Sequence, residues 1–286
     1  MRTASQPWVA RIAVVLCVAV FLGFFSTSSQ VAWKSVVDCG LLPKRSVWEG
    51  TYWTLLTSVF VHFAVWHMAF NVYWLWLLGS RMEEAIGSWR FLIFFVLAAL
   101  VSSSLQLAAS EGMGIGASGV VYAIFGFMWV GRRRFQSFQE ILNDRTALVF
   151  IVWLVGCVVL TVLNIWNVGN AAHVSGLLFG AAVAGHFVVR YKPPLVLAAM
   201  VALVVLSIVP LFWCPWSVQW LSHKAYEADV AQDHRGALDL YTRVIEQDPR
   251  NAWAYHNRGL VFRALGMEGN AKADMEKAQA LDPSLK

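Results

Sequence analysis

One serine and a few histidines are the residues of this chain that could do chemistry inside an apolar setting. Ser118 lies in GIGASGVVYAIFG (114–126), at the start of an apolar run. His173 opens another such run, and His62, His67 and Asn71 fall together in HFAVWHMAFN (62–71). Polar groups within apolar spans are costly, so each needs a reason. A serine hydroxyl becomes a nucleophile when a histidine takes its proton. A helix start adds positive partial charge and N–H groups for a developing oxyanion. Ser118 thus reads as a nucleophile and His173 as its base. His67 and Asn71, four residues apart on one helix face, would supply donors to the same oxygen. No Asp stands out as a partner for His173, which favours a two-residue dyad. Two blander readings stand beside this one. A serine in a membrane helix often bonds back to its own backbone. His62, His67 and His173 could hold a metal, but a five-residue step turns about 140° around a helix, and the His-Glu-x-x-His pattern is absent. Neither metal nor other cofactor is expected. His186 reads as interfacial or satisfied within a helix bundle.

The elements that must position these groups are membrane helices. Of 286 residues 58% are hydrophobic and 14% charged, against about 25% charged in soluble domains. The mean hydropathy is +0.58. The 15 Trp suit membrane interfaces. The net charge of +5 comes from clusters such as Arg132–Arg134 between apolar runs, where it sets topology rather than binding nucleic acid. The apolar runs are 8–26, 58–79, 90–109, 115–131, 147–163, 171–190 and 194–215. The first also has features of a cleaved signal peptide. Charge alternation between runs places the N-terminus in the cytoplasm and, with seven spans, the C-terminus outside. Ser118, His173, His67 and Asn71 then share one depth near the outer face. The run holding Ser118 is short, about 22 Å as a helix against a core of about 30 Å. A helix starting below the surface implies a water-filled recess over its N-terminus. The glycines acquire a role too. Ala172, Gly176, Gly180 and Ala184 recur every four residues, and Gly119, Ala123 and Gly126 do much the same. Small residues so spaced let helix backbones approach closely. Gly114 and Gly116 would let the preceding loop dip below the surface. Cys17 and Cys157 lie within apolar runs, and a Cys39–Cys214 disulfide is one reading of the other two.

Composition changes near residue 218, giving a membrane domain over 1–217 and a charged helical segment over 218–286. Gly236-Ala237 and Asn270-Ala271, like Asp248-Pro249 and Asp282-Pro283, are 34 residues apart. Tyr255, Gly259, Phe262, Ala271, Met275, Ala278 and Pro283 fit a tetratricopeptide repeat, as do Leu221, Ala225, Ala237, Tyr241, Val244 and Pro249 in a poorer first unit. Two repeats are fewer than the three or so that usually stand alone. They would lean on the membrane domain, a partner or a second copy.

These residues together resemble the rhomboid intramembrane serine proteases. The similarity runs from about Trp53 to Gly185 and includes HFAVWHMAFN (62–71), GSRMEEAIG (79–87), GASG (116–119) with Tyr122, and AHVSGLLFG (172–180). The resemblance implies an all-α polytopic bundle, a six-helix core plus a seventh span, that cleaves transmembrane segments of other proteins without metal or nucleotide. It implies Ser118 as nucleophile, His173 as base, and an oxyanion hole of His67, Asn71 and the Ser118 N–H. Tyr122 would stack beside His173, and Glu83 would anchor the inner end of the second span. His62, Gly116, Gly119, Gly176 and Gly180 would support the site. The family's usual Trp-Arg is Trp53-Thr54 here, which leaves loop 27–57 to other contacts. The expected partners are transmembrane protein substrates, the lipid bilayer and a protein at the repeats, with no nucleic acid. The expected place is a bacterial cytoplasmic membrane. Two rivals are a non-catalytic membrane scaffold or quality-control protein working through its repeats and, less well matched, a transporter.

Overall fold

The computed structural model describes residues 6–25, 47–110, 114–187 and 194–285. The described chain is helical, with no strand among the described residues. It divides into two compact units, one ending at Phe212 and the other starting at Trp213. Cys39 lies outside the described residues, so its pairing with Cys214 does too.

The first unit is an integral-membrane helix bundle. In chain order it holds α1 (Trp8–Phe25), α2 (Thr54–Phe60), α3 (Val65–Ile86), α4 (Ser88–Ala109), α5 (Ser118–Gly131), α6 (Gln136–Ile141), α7 (Asp144–Val162), α8 (Asn170–Phe187) and α9 (Pro194–Phe212). Among these α4, α7 and α9 are each long and apolar enough to cross a membrane, and α2 with α3 makes a fourth candidate bent by 101°. That bend corrects one expectation. The run 58–79 is not one helix, and His62 lies in the break at 61–64 rather than on a span. The cause is tertiary: the Ser58 carbonyl accepts the Gly116 N–H at 3.0 Å, from the loop before Ser118. α3 also continues past Gly79 to Ile86, through a π-type turn at Leu75–Gly79.

α5 sits at the centre, with nearly every residue buried. At 14 residues it is about 21 Å long, short of a bilayer core of about 30 Å. α8 packs directly on its backbone. A Cβ at Gly176 would strike the Gly119 carbonyl, one at Gly180 the Ala123 carbonyl, and one at Gly126 the Leu177 carbonyl. At these three glycines there is no room for a side chain. Gly119 turns its open face to α4 and α8: a Cβ there would lie 2.6 Å from Ser102 Oγ and 3.4 Å from Ala172 Cβ.

Polar ties hold the other helices. The buried Glu83 carboxylate accepts the Val9 N–H at 3.1 Å and the Ala10 N–H at 2.8 Å. It caps the first turn of α1, where N–H groups lack intrahelical partners. The Ser104 hydroxyl on α4 donates to the Ser207 carbonyl of α9, and Trp48 Nε1 donates to the Pro210 carbonyl at 3.0 Å.

The second unit is two helical hairpins, α10 (Val218–Val230) with α11 (His234–Gln247) and α12 (Ala252–Ala264) with α13 (Glu268–Leu281). Ser217, Asp233 and Asn251 side chains accept N–H groups at the starts of α10, α11 and α12. The small repeat positions Ala225, Ala237, Gly259, Ala271 and Ala278 are buried, and Leu221, Tyr241 and Val244 fill the space between them. Arg258 ties the hairpins together. Its guanidinium forks onto Asp274 at 2.7 and 2.9 Å and reaches Thr242 Oγ1 at 3.2 Å. The ion pair and hydrogen bonds hold the Arg258 pKa above its ordinary value.

Candidate active site

Ser118 is the first residue of α5, and Ala117 before it carries no side-chain cap. The helix therefore begins with bare N–H groups around the serine hydroxyl. The loop leading in is fixed at three points. The Gly116 N–H is bound to Ser58 as above. Gly116 adopts φ +92°, and a Cβ there would lie 2.8 Å from His67 Cε1 and 3.2 Å from His62 Nε2. The buried His62 accepts the Ala117 N–H at Nε2, 3.4 Å away, and its Nδ1 faces the Phe60 carbonyl at 3.2 Å. This pair of contacts assigns the ring proton to Nδ1. His62 thus clamps the serine loop to the break between α2 and α3. Its ring meets His67 edge-on, with centroids 5.0 Å apart.

His173 lies in the first turn of α8 and is 4% exposed. Its Nε2 is 2.8 Å from Ser118 Oγ. Its Nδ1 is buried without a hydrogen-bond partner among the described residues. The imidazole is steadied instead by Tyr122, one turn along α5, with ring centroids 4.7 Å apart and planes inclined by 31°. Tyr122 is held in turn, its hydroxyl donating to the Phe150 carbonyl of α7 at 3.0 Å.

His67 and Asn71 line the same cavity as Ser118 and His173, a space of about 480 Å³. The buried Asn71 donates one amide N–H to the His67 carbonyl at 2.9 Å, leaving its second N–H for another acceptor. Aromatic rings form much of the remaining wall, among them Phe63, Phe70 and Trp153. Trp66 and Trp166 stack with centroids 4.9 Å apart and planes at 20°. His186 takes no part and packs edge-on against Phe187.

Gln106 was not legible as a site residue, yet it ties three pieces together. Its Oε1 accepts the Ala172 N–H at 3.0 Å, next to His173, and its Nε2 donates to Ser110 at 2.7 Å. Its stem packs so close to Gly114 that a Cβ there would fall 2.7 Å from Cγ. The signal was present as a polar run, Ser102-Ser103-Ser104 and Gln106, inside an otherwise apolar span. Asn170 adds a second tie at the start of α8, donating to Thr161 Oγ1 at 2.8 Å.

A hydroxyl at a bare helix start, an imidazole at hydrogen-bond distance and further donors beside a cavity form a geometry suited to acyl transfer. Residues 49–191, half of the chain, match the rhomboid domain. The chain belongs to the rhomboid family. Its relatives include the rhomboid protease GlpG of Salmonella paratyphi A (strain ATCC 9150 / SARB42), 31% identical over 185 residues, which is 64% of this chain and 63% of that protein. The GlpG proteins of Salmonella choleraesuis (strain SC-B67) and Salmonella newport (strain SL254) are 31% and 30% identical over the same length. The chain thus spans 63% of the length of these relatives. Residues 240–273 match a tetratricopeptide repeat. All the cavity residues named above fall inside the rhomboid domain, and Arg258 falls inside the repeat match.

Proposed function

We propose that this rhomboid is an intramembrane serine protease that hydrolyses peptide bonds in or near transmembrane segments of other membrane proteins, with Ser118 and His173 as its dyad. The observation that carries the reading is the 2.8 Å approach of His173 Nε2 to Ser118 Oγ at the wall of a cavity. In this scheme Oγ attacks the scissile carbonyl while Nε2 takes its proton. The oxyanion is met by the Ser118 N–H, by His67 and by the second amide N–H of Asn71. His173 then returns the proton to the leaving amine, and the peptide bond breaks to give an acyl-enzyme. Water, deprotonated by the same imidazole, releases the acyl group. His62 and Gly116 position the loop, and Tyr122 orients the imidazole. Glu83 anchors α1 from outside the site. A peptide bond must leave its helix before attack, so substrates carry small, helix-breaking residues near the outer face. The N-terminus lies in the cytoplasm of a bacterium. Residues 1–217 form the catalytic membrane domain, and 218–286 are an extracytoplasmic repeat pair that recruits or orients a protein partner.

Purified protein is expected to label with a fluorophosphonate and to cleave a single-span substrate. Ser118→Ala is expected to abolish both, and His173→Ala to reduce both by about 10³-fold or more. Cleavage undiminished in either variant would refute the mechanism. An intact chain that neither labels nor cleaves would instead act as a membrane scaffold.

A further inference from the structure

The bundle contains a second recess, away from Ser118. It is about 700 Å³ in volume and lies between α4 and α9, with Phe94, Phe127 and Phe179 among its lining residues. Phe127 is nine residues along α5 from Ser118, and Val183 is ten residues along α8 from His173, so the recess sits roughly 13–15 Å further along both helices. α4 and α9 are joined at the site end by the Ser104–Ser207 hydrogen bond. At the other end their facing walls carry Ile93 and Leu97 on α4 and Met200 and Val204 on α9. Ile93 and Leu97 are 45% and 41% exposed, so the recess opens on the outer surface of a membrane bundle.

One charged residue lines this apolar space. Arg90 is exposed, and among the described residues its hydrogen bond is to the Ile86 carbonyl one turn back, at 3.3 Å. Among the described residues it pairs with no carboxylate, whereas Arg81 and Arg132 pair with Glu84 and Asp144. Trp89 beside it is 70% exposed, as befits a ring at headgroup depth. Arg90, Ile93 and Leu97 follow one another along one side of α4, a guanidinium leading into an apolar stripe. A surface open to the bilayer must be covered by something apolar, and a cation at its head asks for an anion. Both demands meet in one molecule.

We propose that the recess is a binding site for a phospholipid with an anionic headgroup. The phosphate pairs with the Arg90 guanidinium, and one acyl chain lies in the groove between α4 and α9. Native mass spectrometry of the full-length chain in mild detergent tests this with dioleoylphosphatidylglycerol and dioleoylphosphatidylcholine as probes. The first lipid is expected to bind one site roughly tenfold more tightly than the second, the order expected for a charge-assisted pair. Arg90→Gln is expected to erase that preference and Arg90→Lys to keep part of it. Leu97→Trp, which fills the groove, is expected to weaken both lipids together. Glycerol 3-phosphate has the charge without the chain and is expected not to compete. An unchanged preference in Arg90→Gln, competition by glycerol 3-phosphate, or a dimer that sheds its lipid on forming would each overturn the proposal. The readout needs no catalysis, so it stands apart from the protease reading.

Discussion

At Gly116 a single hydrogen atom decides the geometry of the site. The residue holds φ +92° within reach of both His62 and His67. Gly116→Ala therefore meets two penalties: left-handed backbone costs about 1–2 kcal/mol for an L residue, and the new methyl must push the His67 ring aside. A lower melting temperature and a fluorophosphonate labelling rate reduced by at least about tenfold are expected. Labelling at the wild-type rate would show that the loop tolerates the shift. Gln106→Leu acts from the other side. It keeps the volume but strands the Ala172 N–H, at an expected cost of about 1–3 kcal/mol, measured by thermal unfolding in detergent. The two residues differ in how legible they were. Gly116 stood out beside the serine because glycine is unusual at a helix entry. Gln106 gave no spacing to any partner, since its two bonds run to a backbone N–H 66 residues away and to Ser110. The pairing of Ser118 with His173 was legible because a hydroxyl and an imidazole stand out in apolar runs. His62 was legible as a polar outlier but misplaced, because nothing local reports that its helix is broken.

The contact between α5 and α8 sets the Ser118–His173 distance, on which the proposed reaction depends. Its four-residue spacing of small side chains was readable because helical periodicity puts such residues on one face. The break between α2 and α3 was not, because hydropathy runs smoothly through 58–79 and the cause, the Gly116–Ser58 bond, is tertiary. The helix contact gives its own test. Gly180→Leu would drive a side chain into the Ala123 carbonyl. Overpacking of this kind costs about 1–3 kcal/mol, occasionally more, and α8 must move off α5 to relieve it. Labelling of Ser118 is expected to fall sharply although both residues of the proposed dyad remain. Gly156 on α7 is the control, since a Cβ there meets nothing within 4 Å. Gly156→Ala is expected to label like the parent chain. Equal labelling of Gly180→Leu and Gly156→Ala would show that backbone approach does not set the proposed dyad.

The two units of the molecule are built on different physics. In the membrane unit, lipid offers no hydrophobic drive between helices, so close backbone packing and a few polar ties hold the helices together. The repeat unit uses interlocked small and large side chains, a pattern its 34-residue period already exposed. The Arg258 tie escaped that pattern, because Arg258, Asp274 and Thr242 meet across three helices rather than at a fixed interval. Their side chains are mostly withdrawn from solvent, 17% exposed for Arg258 and 10% for Asp274. Removing one member leaves the other short of partners. Arg258→Ala is therefore expected to destabilise the repeats by somewhat less than the roughly 3–5 kcal/mol of a fully buried pair. Arg258→Lys should fall between, since an ammonium cannot fork onto a carboxylate. Thermal circular dichroism of the full chain would follow the repeat transition downward in Arg258→Ala. Fluorophosphonate labelling of Ser118 at 25 °C is expected to stay at the parent level, because the proposed dyad, Ser118 and His173, lies within the first unit. A loss of labelling in step with the repeat transition would instead make the repeats part of the catalytic scaffold.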